Sequence, residues 1–218
     1  MNNKIVVYTA IFGGKDALNE KDQLRLDGVD YVAFVDDPAM CKSKFWDVRL
    51  EKPMFKNDPV RSAKYYKIFP HECFPDHDIS LWIDGRMALA TDISDQIALL
   101  DETPMVCGAG IAKFGAKCAY TEAMQCIKLN KDRHEIINRQ VEAYKAEGLP
   151  EAFGLWGASL MLRRHHDPAL ARFNQLWWQE IMIHSRRDQI SLPYVVWKTG
   201  LVPTYFTRGI HKKLQHLK

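Results

Sequence analysis

Short runs rich in β-branched and aromatic residues alternate with helix-like segments over the first hundred residues. Residues 4–10 (KIVVYTA), 30–35 (DYVAFV) and 79–83 (ISLWI) have the composition of strands, and each is followed within a few residues by Gly or Asp. Residues 58–69 (DPVRSAKYYKIF) begin with a capping Asp and a Pro at the next position, which predicts a helix ended by Pro70. This alternation predicts an α/β sandwich with a mainly parallel central sheet.

The rest of the chain continues the pattern, and its 218 residues predict a single domain over residues 1–218. The polar segment 16–26 has some helical character. Further helices are expected over 92–100, 120–146, 168–183 and, despite Pro193, 188–198, and further strands over 104–111 and 154–164.

Charge and cysteine usage exclude several classes of protein. Thirty basic and 27 acidic side chains give a net charge of +3, too small to propose nucleic acid or an anionic membrane as the partner. The N-terminal residues are typical of a first strand rather than a signal peptide, and no apolar stretch is long enough for a membrane span. The five cysteines lack paired-ligand spacing, which favours reduced thiols in a cytoplasmic protein.

The third predicted strand stops on a carboxylate, in the sequence ISLWIDGR. Ligands of such sheets bind beyond the carboxyl ends of the strands, where Asp84 could hold Mg²⁺ or Mn²⁺ against a diphosphate. Arg86 could offer a guanidinium fork to the same phosphates and lessen the need for a metal. Alternatively, Asp-Gly between apolar residues is a strong hairpin signal, and a tight turn could itself present Asp84 at the sheet edge.

Three cations follow one another along the predicted helix 58–69. Arg61 and Lys64, at i and i+3, are expected to share a face, with Lys67 rotated away. Arg61 and Lys64 could clamp a pyrophosphate, although a solvated cationic face is the commoner meaning of this spacing.

Asp188 stands at a predicted helix start. There the helix dipole favours an acid whether or not it has a catalytic role. As a functional group it could face the reacting sugar as a base or as an electrostatic partner of a positive transition state, with Arg186 and Arg187 beside it.

The glycine-containing loops are less specific. TAIFGG after the first strand would let the backbone approach a nucleotide, but it lacks the G-x-G-x-x-G order and the Walker lysine. GAGIAKFGA at 108–116 also departs from the dinucleotide fingerprint. The histidines show no zinc spacing, and His211 in the basic tail could complete a metal shell over a bound diphosphate or simply be exposed.

Taken in order, YTAIFGGKD, RSAKYYKIFPHECFPDHDISLWIDGR, GLPEAFGLWGASLMLRRHHDP and RDQISLPYVVWKTG resemble the TOD/MUCI-like glycosyltransferase family, whose plant members are named probable hexosyltransferases. The resemblance covers about residues 4–200 and implies a GT-A, Rossmann-like α/β/α fold. By motif it implies nucleotide contacts from Asp36 and the first loop (Thr9, Ala10, Phe12 and Gly13), and diphosphate contacts from Arg61 and Lys64. It implies a metal-binding or catalytic acid in Asp84, with Asp188 and Gln189 at the sugar.

The resemblance further implies a nucleotide-sugar donor, a UDP-hexose above all, and a carbohydrate acceptor. The second acid of the usual Asp-x-Asp motif is replaced by Arg86, which leaves the divalent cation optional. We expect a soluble bacterial enzyme of surface polysaccharide synthesis. Two alternatives stay open from the residues: a non-catalytic nucleotide-sugar-binding module, and a dinucleotide enzyme on a Rossmann-like sheet.

Overall fold

The computed structural model describes residues 3–109, 117–207, 209 and 211–213, the last three by their backbone only. Nine strands are found in this part of the chain: β1 (Ile5–Ile11), β2 (Val29–Val35), β3 (Asp47–Leu50), β4 (Ile79–Ile83), β5 (Met87–Leu89), β6 (Met105–Ala109), β7 (Trp156–Arg163), β8 (Thr204–Tyr205) and β9 (His211–Lys213). Seven α-helices accompany them: α1 (Pro59–Ile68), α2 (Pro70–Cys73), α3 (Ser94–Ala98), α4 (Ala119–Lys128), α5 (His134–Glu147), α6 (Pro168–Ile183) and α7 (Asp188–Thr199). Pro38–Lys42 and Leu99–Asp101 form 3₁₀ turns.

Seven strands form one mixed sheet in the order β3-β2-β1-β4-β7-β6-β8. Strands β3, β2, β1 and β4 are parallel, β7 runs antiparallel to both β4 and β6, and β8 is parallel to β6. The predicted α/β architecture with a mainly parallel, mixed sheet is therefore confirmed. The carboxyl ends of β1, β2 and β4 meet at one edge, where Ile11 pairs with Val35 and Tyr8 pairs with Trp82.

Two apolar cores cover the two faces of the sheet. On one face, alternate residues of β1, among them Tyr8 and Ala10, pack with buried side chains of α1 and α4 to α7, such as Trp177. On the other face, Ile11 and its alternate neighbours pack with Trp46 and with Leu100 near α3. Because β1 is covered on both faces, its residues are apolar almost without interruption, as in buried parallel strands.

Several predicted elements differ from the observed ones. Residues 120–146 form two helices rather than one, separated by a turn at Asn130, which has a φ of 48°. Residues 16–26 form no helix, because their backbone is used for tertiary bonds such as that from the Leu24 N–H to the Leu89 carbonyl (2.8 Å). The helix at 188–199 is present despite Pro193, as expected. Among the described helices, none combines the length and the apolar character needed to cross a membrane.

Candidate functional site

A cleft of about 320 Å³ lies at the carboxyl ends of β1 and β4. Ala10 and Ile11 at the end of β1, with Phe12 after it, form one wall and residues 84–86 form another. Helix α1 contributes Lys64 to the lining, and Arg187, the residue immediately before α7, lines the cleft as well. A cleft of this kind at the carboxyl edge of parallel strands is the usual place for a ligand in an α/β sheet.

The Asp84 turn closes β4 but makes no hairpin with β5. The Met87 N–H donates to the Asp84 carbonyl at 2.8 Å, as in a tight turn, yet β5 leaves the sheet and pairs with β9. The prediction of a β4–β5 hairpin is therefore wrong, because β4 already has β1 and β7 as neighbours. The turn presents the half-buried Asp84 carboxylate to the cleft, where its Oδ1 accepts from the Trp82 indole N–H at 3.0 Å.

Gly85 lets this turn lie directly against β1. A Cβ atom on Gly85 would come 2.6 Å from Ile11 Cδ1 and 2.7 Å from Ile11 Cγ1, so the buried Ile11 side chain would have to shift. Glycine is thus favoured here by the close approach, since its φ is not positive. It fixes the separation between the β1 wall and Asp84.

Two lysines of α1 converge on Asp188. Lys64 Nζ donates to Asp188 Oδ2 at 2.7 Å and Lys67 Nζ donates to the same oxygen at 2.5 Å. Lys67 Nζ also lies 3.7 Å from Asp84 Oδ1. The expectation that Lys67 is rotated away from the site is wrong: Lys64 and Lys67 share the face that turns toward α7.

Burial and charge shift the pKa values in this cluster in opposite directions. Burial alone would raise the pKa of the Asp188 carboxyl, but Lys64, Lys67 and Arg187 together hold it far below its usual range. For Lys64, burial dominates over the attraction of Asp188, and its pKa falls to about 8. Asp188 is therefore always a carboxylate near neutral pH, whereas Lys64 can lose its proton in mildly alkaline solution.

Arg187 belongs to the site, although the sequence distinguished it in no way from the adjacent Arg186. It precedes Asp188, lines the cleft, and has a buried Nε with no hydrogen-bond partner among the described residues. Burial would lower its pKa, but Asp188 raises it above the ordinary value. Arg187 is thus a permanent cation with an unused donor.

Arg61 does not line this cleft. Its Nε donates to the Ile181 carbonyl at 2.8 Å, its Nη2 to the His184 carbonyl at 2.7 Å, and its Nη1 pairs with Asp58. It lines a separate depression with Phe55 and Ile183. The expected pairing of Arg61 with Lys64 around one ligand is therefore not what the structure shows, because three partners hold its guanidinium outside the cleft.

Of the predicted nucleotide-binding residues, some line the cleft and others lie in or beside the sheet without lining it. Ala10 and Phe12 line the cleft, whereas Thr9 is fully buried inside the sheet. Gly13 has a φ of +65° and lies against Pro59, and its N–H donates to both carboxylate oxygens of Asp36 at 3.0 and 2.9 Å. Asp36 thus shapes the loop beside the cleft.

The other predicted residues are more peripheral. Arg86 lines the cleft and its Nε lies 3.4 Å from Asp16 Oδ1. Gln189 is half-buried in the first turn of α7, one residue beyond Asp188. His211 begins β9, opposite Leu89 of β5, and its side chain is outside the described residues.

The described side chains include no group of three or more His, Cys, Asp or Glu residues placed to hold a metal ion. Asp84 is the acid that lines the cleft near Lys67, and its Oδ1 is already engaged by Trp82. The donor set does not fit a metal held by the protein alone. A divalent cation here would need most of its oxygen ligands from a bound phosphate.

Comparison with known proteins gives two findings. Residues 1–208 match the model of a family described as TOD1/MUCI70, glycosyltransferase-like domain. The chain is also similar to "Probable hexosyltransferase MUCI70" of Arabidopsis thaliana, at 26% identity over 217 residues and 88% of this chain. The chain covers 37% of the length of that relative.

Proposed function

Because the chain belongs to the TOD1/MUCI70 family of glycosyltransferase-like domains, we propose that it transfers a hexose from a UDP-sugar to a carbohydrate acceptor. The observation that carries this proposal is the cationic group at the sheet edge. Lys64 and Arg187 line the cleft formed by the strand ends, and together with Lys67 they surround Asp188, which is buried beside it. Three cations against the two carboxylates of Asp188 and Asp84 leave a positive excess suited to a diphosphate.

The diphosphate would be bound mainly by side chains that have donors to spare. Lys64 has two ammonium protons beyond the one given to Asp188, and Arg187 has its free Nε–H. Arg86 at the cleft mouth offers a planar fork to phosphate oxygens. The nucleoside would lie along Ala10, Phe12 and Gly13, on the loop that Asp36 shapes.

In the reaction, an acceptor hydroxyl attacks the anomeric carbon of the donor, the bond from that carbon to the diphosphate oxygen breaks, and the hydroxyl proton is released to water or to the departing UDP. The leaving UDP gains negative charge, which Lys64, Lys67 and Arg187 stabilise in a partly water-excluded cleft. Asp188 is a poor base because its pKa is so low. We assign it the electrostatic role of holding both lysines, with Gln189 beside it toward the sugar.

In this proposal, a divalent cation would bind only together with the donor. Asp84 would supply one ligand, and the phosphates would supply others. When bound, such an ion would act as a Lewis acid on the leaving phosphates. Five free thiols are compatible with a cytoplasmic setting. The acceptor that we propose is a polysaccharide chain.

A donor screen tests the proposal. Purified protein is titrated by calorimetry with UDP, GDP, NAD and a panel of UDP-hexoses, with and without Mn²⁺, and UDP release is then measured with oligosaccharide acceptors. We expect UDP to bind in both conditions and one UDP-hexose to be turned over. Binding without any turnover would instead support a non-catalytic nucleotide-sugar module, and binding of NAD alone would contradict the assignment.

A further inference from the structure

The segment of residues 184–187 joins α6 to α7 and determines where two site residues lie. Arg187, its last residue, lines the cleft, and Asp188 immediately after it receives Lys64 and Lys67. A short connection has few internal bonds of its own. Its position therefore depends on contacts with other parts of the chain.

Arg61 holds the first half of this segment. Its Nε donates to the carbonyl of Ile181 in the last turn of α6, which has no helical partner, and its Nη2 donates to the carbonyl of His184, the first residue of the segment. A cation at a helix C-terminus is also favoured by the helix dipole. Since Asp58 accepts from the Arg61 N–H (3.1 Å) and pairs with its guanidinium, one side chain ties the start of α1 to the end of α6.

Asp132, in the turn between α4 and α5, holds the second half. Its Oδ2 accepts from Ser185 Oγ at 2.7 Å and from the Arg186 N–H at 3.0 Å. Ser185 is fully buried, and its Oγ in turn accepts from the Arg187 N–H at 3.2 Å. The carboxylate is thus two hydrogen bonds away from the backbone of Arg187.

Ion pairs of Arg186 also hold the 184–187 segment in place. Arg186 lies between two acids, with its Nη1 3.7 Å from Asp58 Oδ1 and its Nε 3.7 Å from Asp132 Oδ1. Burial would raise the pKa of Asp132, but the bonds from Ser185 and from backbone N–H groups lower it below the ordinary value. The acid therefore stays ionised and accepts all of these bonds at neutral pH.

We propose that Arg61 and Asp132, both outside the cleft, are positioning residues that fix the 184–187 segment so that Arg187 faces the donor phosphates and Asp188 receives Lys64 and Lys67. The inference rests on the proposed function for its ligand, but the fixing of the segment stands on contacts alone. It also gives Arg61 a role that differs from the direct phosphate contact expected from the sequence.

A double-mutant cycle tests this proposal. UDP affinity is measured by calorimetry for the wild type, Asp132→Ala, Arg187→Ala and the double variant. Asp167→Ala is the matched control, because Asp167 also bonds a backbone N–H (Ala169, 2.8 Å) but caps α6 at its other end. Hydrogen exchange at the amides of residues 185–188 is followed in the same proteins, and Ser185→Ala replaces Asp132→Ala should the latter fail to fold.

We expect Asp132→Ala to weaken UDP binding about tenfold, and the double variant to bind UDP within about twofold of Arg187→Ala alone. Exchange in residues 185–188 should rise in Asp132→Ala and stay unchanged in Asp167→Ala. An unchanged UDP affinity in Asp132→Ala, or additive losses in the double variant, would overturn the positioning role. If the wild type binds no UDP, faster exchange in Asp132→Ala would still confirm that Asp132 holds the segment, and only the nucleotide role would fall.

Discussion

Lys64 should make donor binding depend on pH in a range where few groups titrate. Its ammonium lies in the cleft, 2.7 Å from Asp188 Oδ2, and burial lowers its pKa to about 8 in the free protein. A bound diphosphate adds negative charge beside it and raises that pKa again. Binding is therefore linked to protonation of Lys64, and affinity must fall as pH rises through about 8.

The magnitude follows from the free-protein pKa. If only the protonated form binds and stays protonated in the complex, the dissociation constant of UDP increases about eightfold between pH about 7.5 and about 9. The matched variant is Lys64→Met, which keeps the apolar stem and removes the charge. It should bind more weakly at pH about 7.5, by about tenfold or more, because it lacks a charge-assisted contact.

Calorimetry of both proteins across this pH range gives the ratio of their dissociation constants. Any titration of UDP itself is common to both and cancels in that ratio. We expect the advantage of the wild type to shrink toward pH about 9, by about fourfold if the uncharged side chain costs about tenfold in affinity and by up to about eightfold if it costs more. A ratio that does not change with pH would refute the assignment of Lys64 to the phosphates.

Two further substitutions test the geometry of the site. Asp188→Asn leaves Lys64 without its counter-ion and Lys67 with only Asp84, at 3.7 Å, so chemical denaturation should show a loss of about 3–5 kcal/mol. Asp167→Asn, at the helix cap, should cost almost nothing, and a loss below about 1 kcal/mol in Asp188→Asn would contradict the counter-ion role. Gly85→Ala brings a methyl group 2.6 Å from Ile11 Cδ1 and should cost about 1–3 kcal/mol and weaken UDP binding. Gly209→Ala, whose methyl group meets no atom of the described residues within 4 Å, should change neither, and equal behaviour of the two variants would show that the turn does not need the close approach.

The sequence predicts most of the fold because many elements carry their own start and stop signals. The 168–183 helix agrees to the residue, since Asp167 caps it, Pro168 follows, and its apolar stripe is regular. Strand β3 has no such signal: it is four residues long, half exposed, and exists because it pairs with β2. Strand β5 likewise depends on a partner far along the chain, β9.

The site is predicted less completely, because spacing alone does not orient a helix. Arg61 with Lys64 and Lys64 with Lys67 are both i, i+3 pairs, so the sequence cannot decide which pair faces the cleft. The rotation of α1 is set by packing, which buries Ser62 and Ile68 and carries Lys67 inward with them. Arg187 depends in the same way on the path of the 184–187 segment, which only its tertiary contacts fix.

A crystal structure of the protein with UDP tests the central claim most directly. The account predicts the diphosphate between α1 and the Asp84 turn, with phosphate oxygens within hydrogen-bond distance of Lys64 Nζ and the Arg187 guanidinium. It also predicts that the uridine of UDP lies along Ala10 and Phe12. UDP bound elsewhere, for example in the depression beside Arg61 and Ile183, with Lys64 and Arg187 free of phosphate, would contradict it.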